Sequence, residues 1–280
     1  MCKIGYLGPA GTFTEQAALL VQESCLGEGE LVDYRDLPGL IMAVHDGALD
    51  LGAAPIENVI EGSVNVTIDM LAHDVDLKIV GEIILPIHQC LAARPGIKKD
   101  DILQIVSHPQ ALAQCRRFLN TQFPGVPVHS ANSTAAGAKE ARDSSQPVAA
   151  IANKRAAEIF GLHVLNENIE DHPNNCTRFV ILSRYPVKST GKDKTSIVFS
   201  VNDEPGSLLQ ALEIFARWSI NLTRIESRPM RTRLGQYLFY VDFEGHAEDE
   251  EVSRALSLVQ TLSSFYKHLG SYPRYQDAMK

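Results

Sequence analysis

The chain has 280 residues, of which 45% are hydrophobic and 21% charged, and this composition is ordinary for a globular protein of one large domain or two to three smaller ones. Its net charge of −8 argues against nucleic acid as the main partner, and an anionic substrate would need local positive potential. No window approaches about 18 uninterrupted apolar residues, and the apolar start resembles a strand and not a signal peptide, so we expect no membrane span.

Five cysteines are scattered along the chain without a Cys-x-x-Cys pair, at Cys2, Cys25, Cys90, Cys115 and Cys176. An odd number without paired spacing is typical of the reducing cytoplasm and predicts neither a zinc site nor a disulfide framework. The nine histidines show no metal-binding spacing either. We therefore expect a cytoplasmic protein whose chemistry needs no metal.

A strand at residues 3–7, a glycine-rich turn at 8–11 and a helix from Thr12 or Thr14 open the chain. The free backbone N–H groups and the dipole of such a helix start suit an anion, although a plain turn with Thr14 as N-cap explains the pattern equally well. The turn matches neither the dinucleotide-binding nor the phosphate-binding loop, so the sequence does not support NAD or ATP.

Alternating strands and helices continue to residue 160 and predict an α/β region. Helix starts near Thr12, Ser107 and Ser133 each follow a strand, so they are expected at one sheet edge, where they could converge on one anion. Each is also explained as an ordinary capped helix. The predicted strands are 3–7, 31–34, 50–55, 78–93 with a break at Pro86, 105–107, 126–129 and 148–152, and the later helices are 37–44, 109–120, 133–142 and 153–160.

Two polar stretches stand at the ends of apolar strands. Glu57 and Asn58 follow the strand 50–55, a position that carries ligand contacts in open α/β sheets but also ordinary turns. Thr177 and Arg178 open an apolar run and offer an O–H donor and a fork of donors for a carboxylate. Neighbours in a strand point to opposite faces, so a site using both must wrap round the strand start. Alternatively, Thr177 is only a good strand former and Arg178 caps an edge.

A polar linker at residues 186–194 separates this region from a unit of different pattern. The order in this unit is strand, helix, two strands, helix and strand, which predicts a ferredoxin-like βαββαβ fold. The predicted strands are 195–201, 221–227, 237–243 and 265–269, and the predicted helices are 206–218 and 248–262.

Five motifs occur in the order seen in the prephenate dehydratase family, which the chain resembles over essentially its whole length. They are Gly8-Pro9-Ala10-Gly11-Thr12-Phe13, Pro55-Ile56-Glu57-Asn58, Ser107-His108-Pro109-Gln110, Asn175-Cys176-Thr177-Arg178-Phe179 and Glu226-Ser227-Arg228-Pro229. The resemblance implies a monofunctional bacterial enzyme with a two-lobed catalytic region like a type II periplasmic binding protein, followed by a ferredoxin-like ACT domain. It implies a catalytic region at 1–185, with lobes 1–76 plus 175–185 and 77–170, a linker at 186–194 and an ACT domain at 195–272.

The family converts prephenate to phenylpyruvate, water and carbon dioxide in phenylalanine biosynthesis, without a cofactor. The resemblance implies that Thr177 donates a proton or hydrogen bond to the leaving hydroxyl and that Arg178 holds a carboxylate or tunes Thr177. Many relatives have serine where this chain has Val59, so any role of that serine is absent here. The resemblance implies that the substrate cleft is lined by Thr12, Glu57, Asn58, Ser107, Gln114, Ser133, Thr134 and Phe179.

The resemblance makes the ACT domain a regulatory unit that binds L-phenylalanine. It also implies a homodimer through ACT domains, and the homotetramer common in the family. Ser207 stands where relatives commonly have alanine. The implied effector residues are Gly206, Ser207, Leu208, Asn221, Leu222, Glu226, Ser227, Arg228 and Pro229.

Two alternatives remain beside a prephenate dehydratase. Arogenate dehydratase performs the same chemistry on a substrate with an amine in place of the side-chain ketone. A non-catalytic amino-acid sensor would keep the cleft and the ACT domain without chemistry. The intact Thr177-Arg178-Phe179 motif disfavours the sensor.

Overall fold

The structure, a computed structural model, describes residues 1–24, 29–230 and 236–275, so Cys25 lies outside the described part of the chain. Within that part, no helix is both long and apolar enough to cross a membrane. The chain divides into two compact units. The first comprises Met1–Leu40, Gly52–Val64 and Ile84–Phe179, and the second comprises Ile41–Leu51, Asn65–Ile83 and Val180–Lys280.

Strands and helices alternate through most of the described chain. The strands are β1 (Cys2–Leu7), β2 (Gly29–Tyr34), β3 (Leu51–Asn58), β4 (Gly62–Ser63), β5 (Lys78–Pro86), β6 (Cys90–Ala93), β7 (Gln104–Ser107), β8 (Val128–Ser130), β9 (Val148–Ala152), β10 (His163–Asn166), β11 (Cys176–Ser183), β12 (Asp193–Ser200), β13 (Leu222–Pro229), β14 (Tyr237–Glu244) and β15 (Phe265–Pro273). The helices are α1 (Phe13–Ser24), α2 (Leu37–His45), α3 (Asn65–His73), α4 (Pro109–Gln114), α5 (Arg116–Gln122), α6 (Thr134–Asp143), α7 (Lys154–Ile159), α8 (Ser207–Arg217) and α9 (Glu250–Leu262), with a 3₁₀ turn at Lys99–Asp101.

The first sheet has the strand order β2-β1-β3-β11-β5, and the short β4 pairs with the end of β3. Strand β11 returns from late in the chain to lie between β3 and β5, in keeping with the family resemblance, which implies that residues 175–185 join the first lobe. Its residues from Arg178 to Ser183 are buried, in keeping with a central strand that is covered on both faces. The sequence places β5 in the second lobe, but β5 pairs with β11 in this sheet, because tertiary packing and not local pattern decides a strand's partner.

The second sheet lies in the first unit and has the order β10-β6-β9-β7-β8. Its central strand β9 is completely buried, and α6 packs beside it over small side chains such as Ala138 and Ala150. At Gly137 a Cβ atom would lie 3.2 Å from the carbonyl oxygen of Val106, so glycine allows this close helix approach. Two predictions were inexact here: β10 was not foreseen, and the predicted helix 109–120 is two helices, because Cys115 leaves the helical conformation (φ −111°, ψ 18°).

The third sheet, in the second unit, has the order β13-β14-β12-β15, and these three strand pairs are antiparallel. Helices α8 and α9 contribute to one apolar core with residues such as Ile197 and Phe243, so the ferredoxin-like βαββαβ prediction is confirmed. Strand β12 begins inside the predicted linker, at Asp193. The carboxylate of Asp193 accepts hydrogen bonds from the backbone N–H groups of Thr190 and Gly191, and these bonds close the turn that precedes the strand.

Strand β15 packs directly on β5 within the second unit. A Cβ atom at Gly270 would lie only 2.2 Å from the carbonyl oxygen of Ile79, so the two backbones touch. Beside this contact, Lys194 Nζ lies 2.9 Å from both carboxylate oxygens of Glu82, and both side chains are almost fully buried. The backbone N–H of Tyr275 also donates to Glu82.

Candidate active site

A cavity of about 350 Å³ lies in the first unit, where strand ends meet helix starts. Most of its lining residues are polar, and their donors and acceptors come from many separate chain segments. The apolar or backbone contributors are Leu7, Gly8, Phe13, Ile87 and Ala111. The polar ones are Thr12, Thr14, Arg35, Asn58, Gln89, His108, Gln110, Gln114, Asn132, Ser133, Thr134 and Thr177.

Three helix starts contribute to this one cavity through Thr12, His108 and Ser133, so they lie together as predicted, while their convergence on one anion stays a prediction. Thr12 caps α1, because its Oγ1 accepts a hydrogen bond from the N–H of Glu15 at 3.2 Å and donates to the carbonyl of Leu7. The alternative cap, Thr14, instead lies inside the helix. Ser133 caps α6, and the ring of His108 caps α4. The first N–H groups of a helix lack intrahelical acceptors, so these starts supply partial positive charge.

The glycine-rich turn before α1 is held from two sides. The N–H of Gly11 donates to the buried carboxylate of Glu15 at 2.6 Å, and the side-chain amide of Asn153 donates to the carbonyl of Gly11 at 2.8 Å. Gly11 has φ +91°, which disfavours other residues. The turn is therefore rigid where it enters the cavity.

Asn58 and Thr177 lie in contact at the ends of adjacent strands β3 and β11. The amide nitrogen of Asn58 lies 2.8 Å from Thr177 Oγ1, 3.0 Å from Asn175 Oδ1 and 3.2 Å from the carbonyl oxygen of Cys176. The amide oxygen of Asn58 accepts hydrogen bonds from the N–H groups of Ile60 and Glu61, each at 3.0 Å. Thr177 and Asn58, which the resemblance assigns to catalysis and to the cleft lining, are thus in direct contact.

A second amide contact extends this arrangement across the cavity wall. The amide nitrogen of Asn175 donates to Gln114 Oε1 at 3.3 Å, and the carbonyl of Asn175 accepts from the N–H of Ile87. Asn175 and Gln114 are both buried, and Gln114 lines the cavity. Buried amides that satisfy one another in this way hold a single arrangement.

Six of the predicted substrate or catalytic residues line the cavity, namely Thr12, Asn58, Gln114, Ser133, Thr134 and Thr177. The other four lie outside its lining. Ser107 is fully buried and donates to the carbonyl of Ile151, and Phe179 belongs to the core. Arg178 points away from Thr177, is 8% exposed and has its guanidinium 3.8 Å from the carboxylate of Glu57.

Several lining residues were not foreseen from the sequence. Arg35 follows β2 and is the arginine of the cavity lining, which contains no lysine among the described residues. His108, Asn132 and Thr14 belong to the helix starts, and Gln89 has a buried Oε1 with no hydrogen-bond partner within the described chain. The available signal for Arg35 was its place at the carboxyl end of a parallel strand, where ligand contacts cluster.

Two further groups bear on what chemistry the site supports. Burial raises the pKa of the Cys176 thiol, with a smaller contribution from the carboxylate of Glu57, so this thiol stays protonated at neutral pH. Across residues 1–24, 29–230 and 236–275, no group of three or more histidine, cysteine or acidic side chains is placed to hold a metal ion.

The predicted effector residues lie in two groups in the second unit. Gly206 caps α8 with φ +89°, and Ser207 and Leu208 line a small cavity of about 120 Å³ together with Tyr237 and Phe239. The second group lies on β13 and its preceding residue: Asn221, Leu222, Glu226, Ser227, Arg228 and Pro229. None of this group lines the small cavity.

Strand β13 presents its effector motif on two faces, as alternation requires. Ser227 and Pro229 are the cross-strand partners of Phe239 and Tyr237, so they stand next to the small cavity. Glu226 and Arg228 point to the opposite face. There Arg228 forms a two-pronged ion pair with Asp69 of α3, at 2.9 and 3.0 Å, and also contacts Asn65.

Comparison with known proteins places these features in a family context. The family model of prephenate dehydratase matches residues 4–187, and the model of the ACT domain matches residues 195–257. A prephenate dehydratase of Bacillus subtilis is 40% identical over 287 residues, which cover 98% of this chain and 99% of that protein. An Arabidopsis thaliana protein named arogenate dehydratase/prephenate dehydratase 1, chloroplastic, is 41% identical over 97% of this chain and 72% of its own length.

The fold is also similar to a solved structure. The crystal structure of a prephenate dehydratase from Arthrobacter aurescens in complex with L-Phe has a TM-score of 0.88 and 38% sequence identity to this chain. The match covers 97% of this chain and 90% of that protein. Similarity of this extent includes both the region of the cavity lined by Thr177 and the ferredoxin-like domain.

Proposed function

Because this chain belongs to the prephenate dehydratase family, we propose that it converts prephenate to phenylpyruvate, water and carbon dioxide under control by L-phenylalanine. The observation that carries the proposal is a cavity lined jointly by the Thr177 hydroxyl, three helix starts and Arg35. The enzyme is a lyase, and its place in metabolism is phenylalanine biosynthesis.

The reaction requires little covalent chemistry from the protein. The bond between the ring and its carboxylate breaks to release carbon dioxide, and the electron pair of that bond completes the aromatic ring. On the opposite side of the ring, the C–O bond to the hydroxyl group breaks. The hydroxyl leaves with the electron pair of that bond and takes up a proton to become water. Because aromatisation drives the reaction, the protein must hold a dianion in one pose and assist the departing hydroxyl.

We assign this assistance to Thr177. Its hydroxyl reaches the cavity, whereas Arg178 on the opposite face of the strand is paired with Glu57. We therefore assign Arg178 to fixing the start of β11 and thereby the position of Thr177. Glu57, Ser107 and Phe179 would act in the same supporting way.

Anion binding falls to the groups that carry positive charge or N–H donors. Arg35 supplies a full charge, and the helix starts at Thr12 and Ser133 supply partial charge. Thr134 and Gln114 offer further polar contacts. Together these groups suit a ligand with two carboxylates.

The remaining proposals concern regulation and assembly. We propose that L-phenylalanine binds beside α8, where Ser207 and Leu208 line a cavity next to Ser227 and Pro229 of β13. The catalytic region would span residues 1–185, and the ACT domain, predicted at 195–272, would extend from β12 to the end of β15. Its outer strand β13 suits edge-to-edge pairing into a homodimer, with a homotetramer as the further assembly. We place the enzyme in the cytoplasm.

The proposal is tested by measuring phenylpyruvate formation from prephenate with and without L-phenylalanine. We expect turnover that L-phenylalanine suppresses. The variant Thr177→Val keeps the side-chain volume but removes the hydroxyl, so kcat should fall by about 10²–10⁴ with the fold retained. Thr121→Val, which removes an exposed hydroxyl on α5, is the matched control.

Each other outcome has a definite meaning. Turnover of arogenate in place of prephenate would change the substrate but keep the site. Absence of turnover with both would leave an amino-acid sensor and contradict the proposal. Unchanged kcat in Thr177→Val would remove Thr177 from its assigned role.

A further inference from the structure

We infer that Asn58 is a positioning residue, whose amide turns the Thr177 hydroxyl into a hydrogen-bond donor toward the cavity, and that it is not a ligand of the substrate. This inference rests on the proposed function and adds a specific task for a residue that the family resemblance places only in the substrate cleft.

The orientation of the Asn58 amide is fixed by the turn that follows it. The backbone N–H groups of Ile60 and Glu61 both point at Asn58 Oδ1, each at 3.0 Å. A backbone N–H can only donate, so the group facing these residues must be the oxygen. The NH₂ group of Asn58 therefore faces β11.

This orientation decides the role of the Thr177 hydroxyl. Asn58 Nδ2 lies 2.8 Å from Thr177 Oγ1, and an amide nitrogen can only donate. Thr177 Oγ1 is thus the acceptor, and its own hydrogen is not used in that contact. Within the described chain no other group accepts this hydrogen, and Thr177 lines the cavity. The O–H is accordingly free to donate to a bound molecule.

Asn58 has no capacity left for a substrate. Its oxygen already accepts two N–H groups, and its two amide hydrogens have three protein acceptors within 3.2 Å, on Thr177, Asn175 and Cys176. The side chain is also buried, with 8% of its surface exposed. A hydroxyl that accepts a hydrogen bond donates a stronger one, so the contact also polarises the Thr177 O–H bond.

The Asn58 amide also determines the orientation of the Asn175 amide. Asn175 accepts from Asn58 through its oxygen and therefore presents its own NH₂ to Gln114 Oε1. Gln114 is thereby left with its NH₂ group as the free end, beside the cavity. The two backbone N–H groups after Asn58 thus determine the direction of the whole series of hydrogen bonds.

The variant Asn58→Asp tests the inference with almost no change in shape. One carboxylate oxygen still accepts from Ile60 and Glu61, so the turn is kept. The other replaces the NH₂ group and draws the Thr177 hydrogen to itself, away from the cavity. We expect kcat to fall by about 10²–10³, as for the loss of a proton donor, with KM within about threefold. Adding Thr177→Val to Asn58→Asp should cost little more, because the hydroxyl is already disabled.

Two further readouts separate positioning from a structural role. Asn58→Ala removes the turn contacts but does not capture the Thr177 hydrogen, so it should retain a higher kcat than Asn58→Asp, whereas a purely structural role predicts the reverse order. The activity of Asn58→Asp should also rise as the pH falls through the pKa of the new carboxyl group, because a protonated carboxyl can donate to Thr177. Neither result is expected of a residue that only supports the turn.

Asn58→Ala combined with Thr177→Val carries the test if Asn58→Asp does not fold, and circular dichroism establishes folding for each variant. An Asn58→Asp enzyme with wild-type kcat, or with raised KM alone, would overturn the inference while wild-type turnover of prephenate upholds the proposed function. An inactive wild type would instead reject the proposed function itself.

Discussion

Arg35 supplies positive charge to the cavity of a chain whose net charge is −8. It stands at the carboxyl end of β2, beside the helix starts of α1 and α6 that supply partial charges. Partial charges at helix ends are fixed by the backbone and survive most substitutions, whereas the charge of Arg35 does not. Arg35 is therefore the residue at which recognition of the substrate dianion is most directly tested.

We predict that Arg35→Gln raises KM for prephenate by about 10- to 100-fold and changes kcat much less. The physical reason is the loss of one charge-assisted hydrogen bond, which contributes about 1.5–3 kcal/mol and acts on bound substrate and transition state alike. Steady-state kinetics measure both constants. Arg116→Gln, an exposed arginine at the start of α5, is the control and should leave KM unchanged. A KM unaltered in Arg35→Gln would place substrate binding elsewhere.

The sequence predicted the site at this scale where residue type and strand position agreed. Asn58 and the helix caps Thr12 and Ser133 were singled out because they follow apolar strands, and Thr177 because it opens one; that all four line one cleft was implied by the family resemblance. The resemblance also implied that Ser107 lines the cleft, yet its hydroxyl bonds to the carbonyl of Ile151 inside the sheet. Which face a strand-end side chain takes depends on register, and the chain alone does not reveal register.

At the scale of elements, the contact between β15 and β5 depends on the absence of a side chain. Gly270 has φ +147° and lies against the backbone of Ile79, and the ion pair of Lys194 with Glu82 borders this contact. Two strands that approach so closely leave no space for a methyl group. The contact is therefore sensitive to the smallest possible enlargement.

We predict that Gly270→Ala destabilises the fold by about 1–3 kcal/mol or more, because the new Cβ would overlap a backbone that cannot move aside. Thermal or denaturant unfolding measures the effect. The matched control is Gly81→Ala in β5, where a Cβ would make ordinary contacts of 3.6 Å with Ile181. Equal stability of the two variants would show that β15 does not pack on β5 in solution.

Element boundaries show the same limit of sequence reasoning. The pattern of strand and helix was clear enough to predict the ferredoxin-like unit, because that unit rests on continuous apolar periodicity, whereas the return of β11 to the first lobe was implied by the family resemblance. The short β10, with polar residues at both ends, and the break at Cys115 have no such signal. The pairing of β5 with the first sheet is decided by residues distant in the sequence, so the local pattern of apolar residues does not predict it.

At the scale of the whole molecule, Arg228 connects the edge strand of the ACT domain to helix α3 through Asp69. Helix α3 follows directly on the β3–β4 hairpin, whose first strand ends at Asn58. A change in β13 on effector binding could thus pass through the Arg228–Asp69 ion pair to α3, and from α3 along the chain to Asn58, the residue that orients Thr177. The coupling that feedback control requires is only about 1–3 kcal/mol.

We predict that Arg228→Ala and Asp69→Asn each raise the concentration of L-phenylalanine needed for half-inhibition, by at least about fivefold, and leave turnover without effector largely intact. Both changes remove the same ion pair, so the double variant should resemble either single one. Inhibition curves with prephenate measure the shift, and Arg217→Ala, an exposed residue of α8, is the control. A shift in Arg228→Ala alone would mean that Arg228 contacts the effector and does not act through Asp69.

The close fit of Gly270 on β5 has a consequence for efforts to free the enzyme from feedback. Strand β5 is the outermost strand of the first sheet, and outer strands carry unpaired backbone groups that recruit other chains. Shortening the protein before β15 would uncover this strand along with its apolar neighbours. Such a truncation would yield aggregation-prone material in place of a desensitised catalyst, so deregulation is better sought through single substitutions at the Arg228–Asp69 pair.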